Sequence, residues 1–166
     1  MVEQQEASED AVMTRIGQAV MLLHGGDREE ARNRFGLLWS ELGADGDALH
    51  RCTLAHYLAD TQDDPGDELA WDLRALTAAE GLRAERSAGH RDFLAVQAFY
   101  PSLHLNLAAD YLKLQRPDAA RIHLRQARDA ADALDGTGPG GRDGHGGGGG
   151  GVRAAIERLE LRMRGQ

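Results

Sequence analysis

A cysteine, a histidine and an aspartate follow one another at intervals of four residues, at Cys52, His56 and Asp60. In a helix these side chains share one face, because residues four apart lie on consecutive turns. A thiol beside an imidazole could act as a nucleophile with its base, and both groups are zinc ligands. Consecutive turns of one helix, however, supply neither an oxyanion hole nor a full ligand set. We therefore favour a small buried cysteine beside a surface or groove histidine.

A closed pocket for a small molecule or a metal ion is a second possibility for this chain, and it could belong to an enzyme. Its lining would be Cys52, His56, Tyr57, Tyr100, His104 and Asn106. No residue pattern assigns a catalytic group or a metal ligand set. The sequence therefore favours a protein without catalytic activity, and it predicts no cofactor.

The overall charge excludes some classes of partner. The 166 residues include 27 acidic and 19 basic side chains, for a formal net charge of -8. An acidic surface repels phosphate backbones, so the sequence predicts no binding to nucleic acid. The absence of a long apolar run predicts no membrane span, and the acidic N-terminus and single cysteine favour a cytoplasmic protein. All basic residues except Lys113 are arginine, which is typical of GC-rich bacterial genomes and by itself indicates no function.

The elements that would position these residues are helices. Valine and isoleucine are sparse, alanine and leucine are abundant, and apolar residues recur every three or four positions instead of alternating. The fold class is therefore predicted to be all-α. Three helical hairpins follow in series, with helices near 8–24 and 27–42, then 47–60 and 65–81, then 92–115 and 117–134.

Local signals mark several helix ends. Gly26 is a typical helix stop, and Asp27 followed by Glu30 predicts a capping box at the next helix start. The turn at 63–66 contains aspartate, proline and glycine, which favour the start of a new helix. Gly81 is predicted to end that helix. The apolar residues expected to face the core here are Leu69, Ala70, Leu73 and Leu76.

The last quarter of the chain changes composition. Residues 136–151 are mostly glycine, so we predict a disordered linker between an array at 1–135 and a C-terminal segment at 152–166. Within that segment, apolar residues recur at helical spacing at Val152, Ile156, Leu159 and Met163. This helix could cap the last hairpin, occupy a groove of its own chain, or cross to a second chain and form a homodimer.

The third hairpin carries a repeated pattern of large and small residues on both of its helices. The residues of this pattern are His104, Leu107, Ala108, Tyr111, Ala120, Leu124 and Ala127. The pattern resembles the tetratricopeptide repeat, with histidine in place of the usual tryptophan and alanine in place of the usual glycine. The first two hairpins match less well. The marker alanines Ala31, Ala70 and Ala120 are further apart than the roughly 34 residues of an unbroken array, so an extra or lengthened helix is expected at 84–99, with Pro101 as a kink or restart.

The resemblance implies a short right-handed superhelix of three hairpins plus a C-terminal helix. Its first helices would line a concave groove that binds an extended peptide or a partner protein, without catalysis. The polar residues assigned to this binding surface are Cys52, His56, Asp60, Ser102, Asn106 and Lys113. An apolar stripe at Met13, Ile16, Val20 and Leu23 would either continue the groove, be covered by the C-terminal helix, or belong to the core. The identity of the partner does not follow from the sequence.

Overall fold

The computed structural model describes residues 2–84, 90–136 and 149–165, and within these ranges the chain forms seven α-helices and no strand. The all-α prediction is confirmed. The helices are α1 (Val2–His24), α2 (Arg28–Leu42), α3 (Ala48–Asp60), α4 (Pro65–Ala84), α5 (His90–Lys113), α6 (Pro117–Gly136) and α7 (Gly149–Arg164). The chain divides into two compact units, an N-terminal unit at Met1–Gly81 and a C-terminal unit at Leu82–Gln166. In the parts of the chain described, no helix is both long and apolar enough to cross a membrane.

The turn between α1 and α2 is a Schellman motif. The Asp27 N–H donates to the Leu22 carbonyl, and the Gly26 N–H donates to the Leu23 carbonyl. Gly26 has a φ of 93°, a left-handed conformation that favours glycine. The predicted helix stop therefore acts through local backbone geometry.

Asp27 also begins α2. Its side chain accepts a hydrogen bond from the Glu30 N–H at 3.4 Å, which is half of the predicted capping box. The reciprocal half is missing, because the Asp27 N–H is already bonded to Leu22 and the Glu30 carboxylate accepts from Arg34 at 3.0 Å. Asp47 caps α3 in the same way, because its side chain accepts one hydrogen bond from the His50 N–H at 3.0 Å.

The core of the N-terminal unit lies among α1, α2 and α3, and α3 packs on both of the other helices. Its buried residues are Ile16, Ala19, Ala31, Phe35, Leu38, Leu54 and Leu58. Tyr57 stacks on Phe35 with ring centres 5.6 Å apart. Trp71 of α4 meets Trp39 of α2 edge-on, with ring centres 5.1 Å apart. The apolar stripe of α1 therefore faces this core, except for Met13, which is exposed.

Two expectations for α4 are wrong. The helix continues through Gly81 to Ala84. Its buried face is also shifted: Leu76 is buried as expected, but Leu73 is exposed, and Leu69 and Ala70 are only half-buried. The buried residues of α4 are Asp72, Ala75, Leu76, Ala79 and Leu82. This helix carries apolar residues on more than one side, so packing selects the face that is buried.

In the C-terminal unit, α5 runs without interruption through Pro101. Proline lacks an N–H and therefore removes one hydrogen bond to the preceding turn, but here it neither ends nor restarts the helix. Of the extra helix expected at 84–99, residues 85–89 lie outside the described residues, and 90–99 are the first part of α5. Ala108 and Ala120, the small residues of the repeat-like pattern, are fully buried.

The C-terminal helix α7 packs against α6 and α5. The buried residues of this contact are Ala108, Leu124, Ala127, Ala131, Ile156 and Leu159. At the edge of the contact, Arg153 forms ion pairs with Asp132, at 3.0 Å, and with Asp135. The helix begins at Gly149, three residues before its predicted start, and Gly136 is the last residue of α6. The remaining part of the predicted linker, 137–148, lies outside the described residues.

Candidate functional site

The row of polar residues on α3 includes a buried free thiol. Cys52 is fully buried, and this burial raises the pKa of its thiol to about 12. The thiol is therefore protonated at neutral pH and cannot act as the nucleophile. Burial lowers the pKa of His56, against the opposing effect of Asp60. Cys52 lies in the core of the N-terminal unit with no solvent-accessible surface, so its assignment to a binding surface stays a prediction from the sequence.

Ser102, Asn106 and Lys113 lie on one face of α5. The spacings of four and seven residues return to nearly the same direction on a helix. Ser102 and Asn106 are half-buried, and Lys113 is exposed at the end of the helix. These three residues belong to the C-terminal unit, whereas His56 and Asp60 belong to the N-terminal unit. The six residues of the alternative closed pocket are divided between the two units in the same way.

Four aromatic side chains of the C-terminal unit form a continuous row of nearly parallel rings. Tyr100, His104 and Tyr111 lie on α5, and His123 lies on α6. The ring centre of His104 lies 6.0 Å from that of Tyr100 and 5.4 Å from that of His123, and its ring plane is within 24° of both. Tyr111 stacks on His123 at 5.4 Å with ring planes only 11° apart. The two tyrosines therefore hold the orientation of both imidazoles.

The two histidines also share a hydrogen bond. Their Nδ1 atoms are 3.2 Å apart, so one Nδ1–H donates to the other Nδ1. Burial, and secondly the proximity of His123, lower the pKa of His104 to about 4. Burial also lowers the pKa of His123. His104 is therefore neutral at pH 7, with a ring nitrogen available as an acceptor or ligand.

A cleft of about 310 Å³ lies between α6 and α7. Its lining combines four arginines with an apolar floor: Arg121, Leu124, Arg125, Arg128, Glu160, Met163 and Arg164. Leu124 is buried, and Met163 packs against the same core. A cleft of this size holds a few side chains or a small molecule. The apolar floor and cationic rim together suit a ligand with both apolar and anionic groups.

The charges of the cleft are arranged by a few ion pairs. The carboxylate of Glu160 accepts hydrogen bonds from Arg128 at 2.8 and 2.6 Å, which joins the two walls. Arg121 is paired with the exposed Asp118 at 3.0 Å. Arg125 and Arg164 are exposed. The cleft therefore has more positive than negative groups, in a chain whose net charge is -8.

No family model, no curated protein and no solved structure matches this chain. The resemblance to the tetratricopeptide repeat therefore stays a prediction from the sequence.

The sequence contained one signal for the cleft. Arg121, Arg125 and Arg128 recur at spacings of four and three, which places them on one face of α6. Arginine is frequent throughout this chain, so the spacing alone does not distinguish this row from the rest. Its meeting with Arg164 of α7 depends on how the two helices pack, which the spacing alone does not reveal.

Proposed function

We propose that the protein is a non-catalytic binding module of the tetratricopeptide-like kind, and that the cleft between α6 and α7 binds a short acidic peptide segment of a partner protein. The observation that carries this proposal is the group of four arginines around an apolar floor. Arginine clusters are a recurring means of recognising acidic motifs, because each guanidinium presents several fixed donors to a carboxylate.

The apolar floor of the cleft indicates which residue types the peptide should contain. Leu124 and Met163 offer burial to one apolar side chain, and the surrounding arginines lie within reach of acidic neighbours on the peptide. Burial of apolar surface contributes about 25 cal/mol per Å², while charge complementarity mainly provides specificity and a faster association. We therefore expect a segment in which leucine or a similar residue is flanked by glutamate or aspartate.

The architecture of the N-terminal unit supports the repeat-like part of the proposal. There α3 packs on both helices of the first hairpin, as the first helix of a following repeat would. In the C-terminal unit, α7 covers apolar surface of the last hairpin, as a terminal capping helix would. Within each unit, the packing is therefore of the kind that repeat hairpins make with their neighbours.

The test uses fluorescence anisotropy of a labelled peptide of alternating glutamate and leucine, titrated with the full chain. Arg125→Glu and Arg164→Glu reverse two charges of the cleft and are expected to weaken binding at least about tenfold, since each replaces an attraction by a repulsion. Arg158→Glu and Arg162→Glu are matched controls, because both residues are exposed on α7 outside the cleft lining. The controls should bind as the wild type does.

Two further probes separate the alternatives. A peptide with lysine in place of glutamate should not bind. Raising the salt concentration should weaken the binding of the acidic peptide, because salt screens the attraction between the charges. A single-stranded oligonucleotide of equal charge is the competing class of ligand. The proposal would be overturned if the oligonucleotide bound more tightly than the acidic peptide. It would also be overturned if the cleft variants and the control variants lost the same amount of peptide affinity.

A further inference from the structure

The histidine pair between α5 and α6 has a spacing that suits two ligands of one metal ion. The Nδ1 atoms of His104 and His123 lie 3.2 Å apart. Metal–imidazole bonds are about 2.0–2.1 Å long. Two such nitrogens therefore lie roughly 3.3–3.4 Å apart around a tetrahedral ion, and roughly 2.9 Å apart at a right angle. The observed spacing falls between these two geometries.

We propose that His104 and His123 bind one divalent transition-metal ion of the copper, zinc or nickel class through their Nδ1 atoms. The ion would take the place of the hydrogen that these nitrogens share. Each neutral imidazole carries one proton, and moving the shared proton from Nδ1 to Nε2 leaves both Nδ1 lone pairs for the metal. No proton needs to leave the protein for this exchange.

The surroundings of the pair favour this binding. The two imidazoles come from different packed helices and are flanked by Tyr100 and Tyr111, so little ordering is required when the ion arrives. His123 is only half-buried, which gives an ion a route from solvent.

The donor set determines which ions can bind. Among the side chains that the structure describes, no third histidine, cysteine or carboxylate lies close enough to both nitrogens to complete a ligand set. Water is therefore expected to fill the remaining positions. Imidazole nitrogen favours copper, nickel and zinc, whereas magnesium and calcium prefer oxygen ligands. Copper is expected to bind most tightly of the three.

The proposal is tested by isothermal titration of the full chain, without affinity-tag histidines, with copper(II) chloride and separately with zinc chloride. We expect one ion per chain and no heat from magnesium chloride. His123→Asn removes one ligand and should weaken metal binding at least about tenfold. Loss of a residue that only hydrogen-bonds to a metal ligand already lowers metal affinity 10–100-fold. His24→Asn is the matched control, because His24 is exposed at the end of α1. Equal affinity of His123→Asn and wild type would overturn the site.

A second measurement does not depend on the folding of a variant. Electron paramagnetic resonance of the wild type with one equivalent of copper(II) should show coupling to two imidazole nitrogens. A spectrum with one or no such nitrogen would contradict the proposal. Arg125→Glu should leave metal binding unchanged, so failure of the peptide cleft and failure of the metal site can be distinguished.

Discussion

Glu160 of α7 accepts two hydrogen bonds from the guanidinium of Arg128 on α6, at 2.8 Å from Nε and 2.6 Å from Nη2. Paired bonds of this kind fix the relative orientation of the two groups more strictly than a single contact does. The pair lies at the edge of the apolar contact between α6 and α7 and also lines the arginine-rich cleft. It therefore links the docking of α7 to the shape of the proposed binding site.

Replacement of Glu160 by glutamine should lower the melting temperature by a few degrees at pH 7. The hydrogen bonds from Arg128 hold the pKa of Glu160 below its ordinary value. A carboxylate with a lowered folded-state pKa stabilises the protein above its unfolded-state pKa, and this contribution is lost as the pH falls through the folded-state pKa. The difference between Glu160→Gln and wild type, followed by circular dichroism, should therefore disappear in acid.

Glu80→Gln serves as the control for this comparison, since Glu80 is exposed on α4. Its melting temperature should equal that of the wild type at every pH. A Glu160→Gln effect of the same size at pH 3 and pH 7 would show that the charge of Glu160 is not responsible.

Ile156→Ala should lower the free energy of unfolding by about 2–5 kcal/mol, the usual cost of such a cavity in a packed core. Ile156 is only 2% exposed and lies in the centre of the contact between α7 and α6. Leu161→Ala on the same helix is the matched control, because Leu161 is 66% exposed. Urea denaturation measures both variants. Equal stability of the two would mean that α7 is not docked in solution.

The thiol of Cys52 should resist modification in the folded protein. A rise of its pKa from 9.0 to about 12 lowers the thiolate fraction about a thousandfold below pH 9. Reaction with a chromogenic disulfide reagent at pH 8 should therefore be slower in buffer than in denaturing urea, by a factor on the order of a thousand. Rapid labelling of the folded chain would contradict the burial of Cys52.

Two helix-ending residues with positive φ should respond to substitution in opposite directions. Gln115 has a φ of 58°, and the Gln115 and Arg116 N–H groups donate to the Leu112 and Tyr111 carbonyls in a Schellman motif at the end of α5. A left-handed conformation costs a side-chain-bearing residue roughly 1–2 kcal/mol. Glycine at position 115 would not carry this cost. Part of the resulting gain in stability is offset by the greater freedom of glycine in the unfolded chain. Gln115→Gly should therefore raise the free energy of unfolding by about 0.5–1 kcal/mol.

Gly26→Ala tests the same geometry at the end of α1. Nothing lies within 4 Å of an added Cβ there, so the substitution introduces no clash and its effect is confined to the backbone. We expect a loss of about 1 kcal/mol in urea denaturation. A neutral Gly26→Ala variant would indicate that the left-handed turn is not retained in solution.

The amino-acid sequence determined the helices and several of their ends. The Schellman turn at Gly26 and the aspartate caps at Asp27 and Asp47 depend on hydrogen bonds between residues no more than five positions apart. The buried stripe of α2 at Ala31, Phe35 and Leu38 follows from spacing along one helix. Such features can be predicted because the interacting groups are neighbours along the chain.

Tertiary packing decided what spacing could not. The buried face of α4 is centred on Ala75 and Ala79 instead of Leu69 and Leu73, because the neighbouring packing selects among several apolar sides. The approach of His104 to His123 brings together residues from two helices, as does the meeting of α6 and α7 around the cleft. These contacts depend on how whole helices approach one another, since short-range periodicity shows which side chains share a face but not what that face meets.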